Sequence, residues 1–390
     1  MKTIYRIRTV KILALLLAVL LAVLALQNGP LHYWDADVQR ITGFRLEVED
    51  SLDVVFLGAS DIFYGYSAPY AYEHYGFTSY PFAVGGCSAI CWSTMLEETL
   101  TRQSPQLVVV EISGMSYRKP ADLHNNSVQH FLLDDMPLSP LKLQALSKLC
   151  TVDTDSPWCF LFPLTKYHSN WQDLELQEAS RENRAALLSR GYSALRGVHA
   201  KSASFFPADG IRDLSDDNSE NILAPEAEQA LLDFLDLCRR EDVQVLFLRL
   251  PRRIGAGDEE MYEEYQQINR AGRIVQEHGF PFLNLDRIPG GIGLDQDRDY
   301  FDNTHMTLAG QQKMTDYLAR YLVEECGVFP RPQPEEIRRS WDISAEYYRT
   351  LLDYWDQKEA EGRSGMQYES ARLIAELDAM KARSTDSEAD

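Results

Sequence analysis

A carboxylate and an imidazole three residues apart, Asp302 and His305, stand in Tyr300-Phe-Asp-Asn-Thr-His-Met-Thr-Leu-Ala-Gly310. One tight turn lets the aspartate hold the imidazole by one nitrogen and leaves the other free to take a proton. A base oriented in this way needs a nucleophile. The candidate is Ser60, at the end of Val54-Val-Phe-Leu-Gly-Ala-Ser60, where an apolar run closes in a small-residue turn carrying a hydroxyl. Ser60, His305 and Asp302 are therefore expected to form a hydrolase-type triad. Taken singly, each has a plainer role: Ser60 as a helix cap, Asp302 and His305 as a structural pair.

The triad requires a scaffold that brings residue 60 to residue 305. Asp53 to Leu57 reads as a short buried strand, β-branched at Val54 and Val55 and closed by Gly58. The pattern then predicts helix over Tyr66 to Tyr75, an extended run over Thr78 to Val84, a turn at Gly85-Gly86, helix over Ser88 to Arg102 and a third strand over Gln106 to Ile112. Val243 to Leu250 and Pro281 to Leu285 read as two more strands joined by a charged helix from Glu259 to His278. Leu308 to Leu322 closes the series as an amphipathic helix. Strands that are apolar throughout and alternate with helices predict an α/β fold with a parallel sheet covered on both faces. Ligands bind such sheets beyond the carboxyl ends of the strands, where Ser60 and Gly86 fall.

Residues 113–241 break this rhythm. They are rich in turn formers, among them Pro120, Asn125, Asn126, Pro157, Pro207 and Gly210, with helical pieces at Leu141 to Leu149, Gln172 to Leu188 and Pro225 to Arg240. They read as an insertion after the third strand, lying over the carboxyl edge of the sheet. Beyond Pro330, Arg331-Pro-Gln-Pro334 is a linker, Ala345 to Glu361 and Tyr368 to Met380 are surface helices, and Arg383 to Asp390 is polar and expected to be disordered. The chain thus divides into an anchor (1–30), an α/β domain (31–330) and a helical and disordered tail (331–390).

The anchor is read from charge and hydropathy. Lys2, Arg6, Arg8 and Lys11 precede fifteen consecutive apolar residues, Ile12 to Leu26, before Gln27-Asn-Gly-Pro30 and the aromatic pair Tyr33 and Trp34. Positive charge ahead of an apolar span predicts a cytoplasmic N-terminus, a single pass through the cell membrane and an extracytoplasmic remainder. The run is shorter than the roughly 17 to 25 residues of a span, but Val10 and the stem of Lys11 extend it. A cleaved signal peptide is the competing reading, disfavoured by the poor cleavage site in Leu24-Ala-Leu-Gln27 and by Tyr33 and Trp34, which suit a membrane interface. A net charge of −21 argues against nucleic acid as a partner. Of the six cysteines, Cys150 and Cys159 are placed for a loop disulfide, and six unpaired thiols are the alternative. No Cys-x-x-Cys or Cys/His cluster occurs, so neither metal nor cofactor is expected. A metal-dependent phosphatase using Asp53, Asp61, Asp302 and His305 is the weaker reading, because Asp53 begins a strand and points away from the carboxyl edge.

The order of these parts resembles the SGNH/GDSL hydrolase superfamily: a strand ending in Gly58-Ala-Ser60, a second turn at Gly85-Gly86 and a late Asp302-Asn-Thr-His305 before the final helix. Within it the chain is most similar to the membrane-anchored bacterial branch related to D-alanyl-lipoteichoic-acid biosynthesis and alginate O-acetyltransferase-like proteins, over roughly Asp53 to Leu322. The resemblance implies a three-layer, flavodoxin-like parallel sheet, with Ser60 as nucleophile, His305 as base and Asp302 as the residue orienting it. It also implies an oxyanion hole from the backbone N–H groups of Ser60 and Gly86 and from an asparagine. That asparagine is missing, because Glu111-Ile-Ser-Gly-Met115 stands in its place; Asn125 or Asn126 is the candidate substitute. The implied activity is that of an extracytoplasmic serine esterase or O-acyltransferase acting on ester groups of cell-envelope glycans or teichoic-type polymers, with a membrane-bound acyl-donor partner in the transferase case. A weakly active or inactive envelope scaffold of the same fold is the alternative.

Arg249, Arg252 and Arg253 gather at the end of a predicted strand in an acidic chain. Arg252 and Arg253 are candidates to grip polymer phosphates, or else are solvent-facing counter-charges to Glu259 and Glu260.

Overall fold

The computed structural model describes residues 2–27, 29, 31–151, 154–202 and 210–389; Asn28, Pro30, Pro207 and Asp390 lie outside them. Seven strands are present among the described residues: β1 (Val54–Gly58), β2 (Ser79–Ala83), β3 (Leu107–Glu111), β4 (His199–Lys201), β5 (Val245–Arg249), β6 (Phe282–Asn284) and β7 (Met366–Tyr368). Five form one parallel sheet in the order β2-β1-β3-β5-β6, the doubly wound order whose direction reverses between β1 and β3. Every residue of β1, β2, β3 and β5 is buried, as expected of parallel strands covered on both faces. Helix Ala68–Tyr75 packs with Leu308–Glu324, and helix Trp92–Arg102 packs with Pro225–Arg240, which meets Glu259–Glu277. The chain is an α/β protein with its switch point beside the end of β1.

Three features depart from the sequence reading. Pro225–Arg240, counted with the insertion, is the crossover helix between β3 and β5; it buries Ala227, Leu231, Phe234, Leu235 and Cys238 in the main core. A helix not foreseen, Ala36–Leu46, is capped by Asp35 and packs on β2, with Phe44 stacked 4.1 Å from Phe82. Trp34, expected at a membrane interface, is only 4% exposed and packs with Val38 and Leu187.

The C-terminal segment is also more integrated than a tail of surface helices. Helix Glu335–Ala360 buries Trp341 in the main core, and β7 pairs antiparallel with β4, matching Lys201 to Met366. The last helix, Ala371–Ala389, runs through the stretch expected to be disordered. All six cysteines are free thiols, Cys150 and Cys159 included.

At the other end, helix Lys2–Gln27 contains a stretch, Arg6–Gln27, of 22 residues and mean hydropathy 2.8, whose apolar side chains are not buried in the protein. At about 1.5 Å per residue it matches a hydrocarbon core of about 30 Å, so the helix is long and apolar enough to cross a membrane. A signal sequence has the same character.

Candidate active site

β1 ends at Gly58, and the helix Ser60–Gly65 begins directly after it with Ala59 as its N-cap. No side chain caps this helix, so the Ser60 hydroxyl is free for another partner. That partner is His305: Ser60 Oγ lies 2.8 Å from His305 Nε2, although 245 residues separate them. The ring's other nitrogen, Nδ1, lies 2.8 Å from Asp302 Oδ2 and 3.1 Å from Oδ1. The three residues are therefore brought together in the order the sequence suggests.

The loop that carries the imidazole is held by its own aspartate. Asp302 Oδ1 accepts hydrogen bonds from the backbone N–H groups of Thr304 and His305, both at 2.8 Å, and from the Thr304 hydroxyl at 2.9 Å. A bridge between Tyr300 and Met306 closes the loop, and Thr307 then caps helix Leu308–Glu324. Burial by itself would raise the Asp302 carboxyl, but the hydrogen bond and charge of His305, with these backbone donors, hold it well below the usual carboxylate range. An ionised Asp302 fixes the ring so that Nε2 faces the hydroxyl, the arrangement that lets an imidazole take a serine proton.

A residue absent from the sequence reading completes the group. Lys201 Nζ is 3.3 Å from Asp302 Oδ2 and lies over the rings of Tyr64 and Phe301, 4.3 Å from each centroid. Its side chain is 7% exposed, and burial lowers its pKa while Asp302 pulls it back up. Tyr64 also meets His305 edge to face at 4.8 Å. Lys201 comes from β4 in the irregular segment, and no local pattern marks it.

The turn at Gly85-Gly86 is positioned by the unforeseen helix. Asp37 accepts the Gly85 N–H at 3.1 Å and pairs with Arg40, whose Nε donates to Ala83 O at 2.8 Å. Arg40 also stacks on Phe63 and contacts His199 Nε2 at 2.8 Å, tying this turn to the helix after Ser60 and to β4. Gly86 has φ +72°, a conformation that suits glycine. Gly114 is confined more tightly, since a Cβ there would stand 2.5 Å from the Cys87 carbonyl oxygen.

At Glu111-Ile-Ser-Gly-Met115, where the resemblance implies a third oxyanion donor, a charge network lies instead. Ser113 Oγ donates to the Glu111 carboxylate and lies 3.2 Å from Asp61 Oδ2. Asp61 is clasped by Arg252 through two bonds of 2.9 Å, and Arg252 also reaches Glu264 at 3.1 Å. Arg249 pairs with Asp286 at 2.9 Å and approaches Glu111 at 3.7 Å. Burial would raise both acids; Arg252 overrides it at Asp61, lowering that carboxyl, whereas burial and then the charge of Asp61 push Glu111 up to about 7.

The remaining sequence candidates are placed elsewhere. Arg252 is 11% exposed and committed to acids, and Arg253 is fully buried with Nη1 on Gln296 O at 2.9 Å, so neither guanidinium is presented to a polymer phosphate or to Glu259 and Glu260. Asn125 caps helix Asn126–Leu133, accepting from Ser127 N and Val128 N, and Asn126 accepts from Asp155 N at 2.9 Å. Asp53 sits at the start of β1, bound to Thr78, Gln106 and Arg331. Among the described residues no group of three His, Cys, Asp or Glu side chains is disposed to hold a metal ion.

No family model and no curated protein matches the chain. Among solved structures it is similar to a protein assigned as an acylhydrolase from Bacteroides fragilis, at 11% identity and a TM-score of 0.35, covering 73% of this chain and 93% of that one. A protein assigned as a lipolytic member of the G-D-S-L family from Desulfitobacterium hafniense shares 9% identity with a TM-score of 0.32, covering 68% and 97%. A family two carbohydrate esterase from Clostridium thermocellum, in complex with cellohexaose, shares 11% with a TM-score of 0.28, covering 73% and 67%. At these values the likeness does not bear on the chemistry, which rests on the chain's own geometry.

Proposed function

We propose that the chain is a serine hydrolase of the SGNH/GDSL type, an esterase or O-acyltransferase, held in the cell membrane by its N-terminal helix with the α/β domain outside the cytoplasm. The observation that carries this is the relay Ser60 Oγ, His305 Nε2, His305 Nδ1, Asp302 Oδ2, with a hydrogen-bond distance of 2.8 Å at each contact. Ser60 Oγ attacks the ester carbonyl carbon as its proton passes to His305 Nε2, and Asp302 stabilises the imidazolium. The carbonyl oxygen gains negative charge, met by the backbone N–H of Ser60 at the start of its helix and that of Gly86. Collapse breaks the ester C–O bond, the imidazolium gives its proton to the departing alcohol, and an acyl-serine remains. Water or a sugar hydroxyl then attacks the acyl group, passing its proton to His305, and Ser60 leaves as the restored hydroxyl.

The substrate we assign is an ester of a cell-envelope glycan or teichoic-type polymer, with a membrane-bound acyl donor as partner in the transferase case. The absence of the asparagine donor supports a second reading, an envelope scaffold of the same fold, because one oxyanion donor contributes roughly 2.7 to 4 kcal/mol. A fluorophosphonate probe and an aryl ester separate the two. The hydrolase reading expects labelling at Ser60, and loss of both labelling and esterase turnover in Ser60→Ala. Turnover retained in Ser60→Ala would refute it.

A further inference from the structure

The apolar surface of this protein is not confined to its N-terminal helix. Trp158 is 67% exposed, Trp171 62% and Leu174 74%, while the other four tryptophans, Trp34, Trp92, Trp341 and Trp355, are all buried. Large apolar side chains exposed together mark an interaction surface. What covers this one is indicated by its neighbour. Leu16, Val19, Leu20 and Val23, one face of the spanning-length helix, form one wall of a groove of about 550 Å³ whose other wall is Phe162, Leu164, Thr165 and His168.

The height of this segment relative to the helix is fixed by specific contacts. Asn170 Nδ2 donates to Leu31 O at 3.0 Å, and the Tyr167 ring lies 4.8 Å from His32, so residues 167–170 sit where the helix leaves its apolar stretch. Leu16 is eleven residues before Gln27, about 16 Å along the axis at 1.5 Å per residue. The groove therefore follows the half of the helix nearer the domain, and Trp158, stacked on Phe162 at 6.3 Å, extends the same surface.

The Thr165 hydroxyl and one ring nitrogen of His168 find partners within the segment itself, which lowers the cost of a low-dielectric setting. Thr165 Oγ1 donates to Phe162 O at 3.3 Å, and His168 Nδ1 lies 2.8 Å from Thr165 O. A chain of net charge −21 gains nothing from anionic lipid, so apolar area and aromatic rings must supply the attraction.

We propose that residues 157–174 form a second membrane contact, seated at the headgroup–acyl boundary of the leaflet on the domain's side, with Trp158, Phe162 and Leu164 entering it and Trp171 and Leu174 at its surface. The role expected of Tyr33 and Trp34 falls to these residues. The contact holds the domain against the bilayer in a fixed orientation, so that the triad works at a set height above the membrane. It rests on the reading of Arg6–Gln27 as a membrane span.

The test uses the full chain reconstituted into phosphatidylcholine vesicles containing acyl-brominated phosphatidylcholine, scored by flotation and by tryptophan fluorescence. The protein should float and its emission should be quenched. The double variant Trp158→Phe/Trp171→Phe, altered only at exposed rings, should float equally and lose most of that quenching. Flotation without quenching, or quenching unchanged in the double variant, overturns the second contact and leaves the span intact. Failure to float overturns the span and the contact with it.

Discussion

Lys201 and His305 share one oxygen of Asp302: His305 Nδ1 lies 2.8 Å and Lys201 Nζ 3.3 Å from Oδ2. The lysine cation therefore opposes a proton on the imidazole through the same carboxylate that favours it. His199 and Arg40 stand behind this pair, and burial, followed by the charges of Arg40 and Lys201, drives His199 well below its ordinary value, so it adds no positive charge. Removing the cation leaves Asp302 free to stabilise a protonated ring, which cannot act as base. In Lys201→Met the acidic limb of kcat/KM should move to higher pH by up to about one unit, with Lys201→Arg close to the parent. A pH–rate profile of ester hydrolysis checks this; an unmoved limb would leave Lys201 with a packing role alone.

Arg252 and Asp61 form a buried pair one residue after Ser60, and breaking such a pair leaves a charge without its partner. Arg252→Met should cost about 3 to 5 kcal/mol of stability, and Asp61→Asn/Arg252→Met should recover part of it because the buried Asp61 charge is no longer left without its partner. Urea unfolding of the three proteins measures the difference. If the double variant is no better than Arg252→Met, charge burial is not the cause.

Glu111 makes stability depend on pH in a definite direction. Burial and then Asp61 raise its carboxyl from 4.5 to about 7, so between those values the folded chain keeps a proton that the unfolded chain has released. Its stabilising contribution is complete below about 4.5 and is lost as pH rises through about 7. Glu111→Gln cannot lose a proton. Between pH 5 and 8 the parent should lose stability relative to Glu111→Gln, on the order of 2 kcal/mol, in urea melts at the two pH values. Parallel profiles would show that Glu111 is ionised throughout.

The juxtaposition of Ser60, His305 and Asp302 could be read from the chain because each half carries a local mark. Ser60 follows an apolar run and a small-residue turn, and the spacing of Asp302 and His305 permits one carboxylate to hold both the loop and the ring. The alternation of apolar strands and helices foretold the parallel sheet. Lys201 carries no such mark: it sits in irregular sequence and acquires its role from β4 pairing with β7 and from two rings. Arg252 misled for the same reason, since a guanidinium reads as a surface cation until its partner, 191 residues away, is in place. The long irregular stretch before Pro225–Arg240 hides the β3 to β5 crossover, so the sequence pattern alone places that helix with the insertion.

The segment beyond residue 330 is the sharpest case, because nothing in it suggested a structural duty. Trp341 is fully buried in the main core, with the Tyr72 ring 5.4 Å away and the Arg196 guanidinium 4.2 Å from its centroid. Arg196 in turn pairs with Glu47 at 2.6 Å, both side chains nearly inaccessible. Deleting the indole removes apolar contact and exposes a buried ion pair to a cavity, two costs at one place. Trp341→Ala should therefore lose about 3 to 5 kcal/mol, while Trp158→Ala, at an exposed ring, should change stability in detergent by less than about 0.5 kcal/mol. Urea unfolding of the two variants checks the contrast. Equal, small losses would mean that helix Glu335–Ala360 only rests on the domain and is not part of its core.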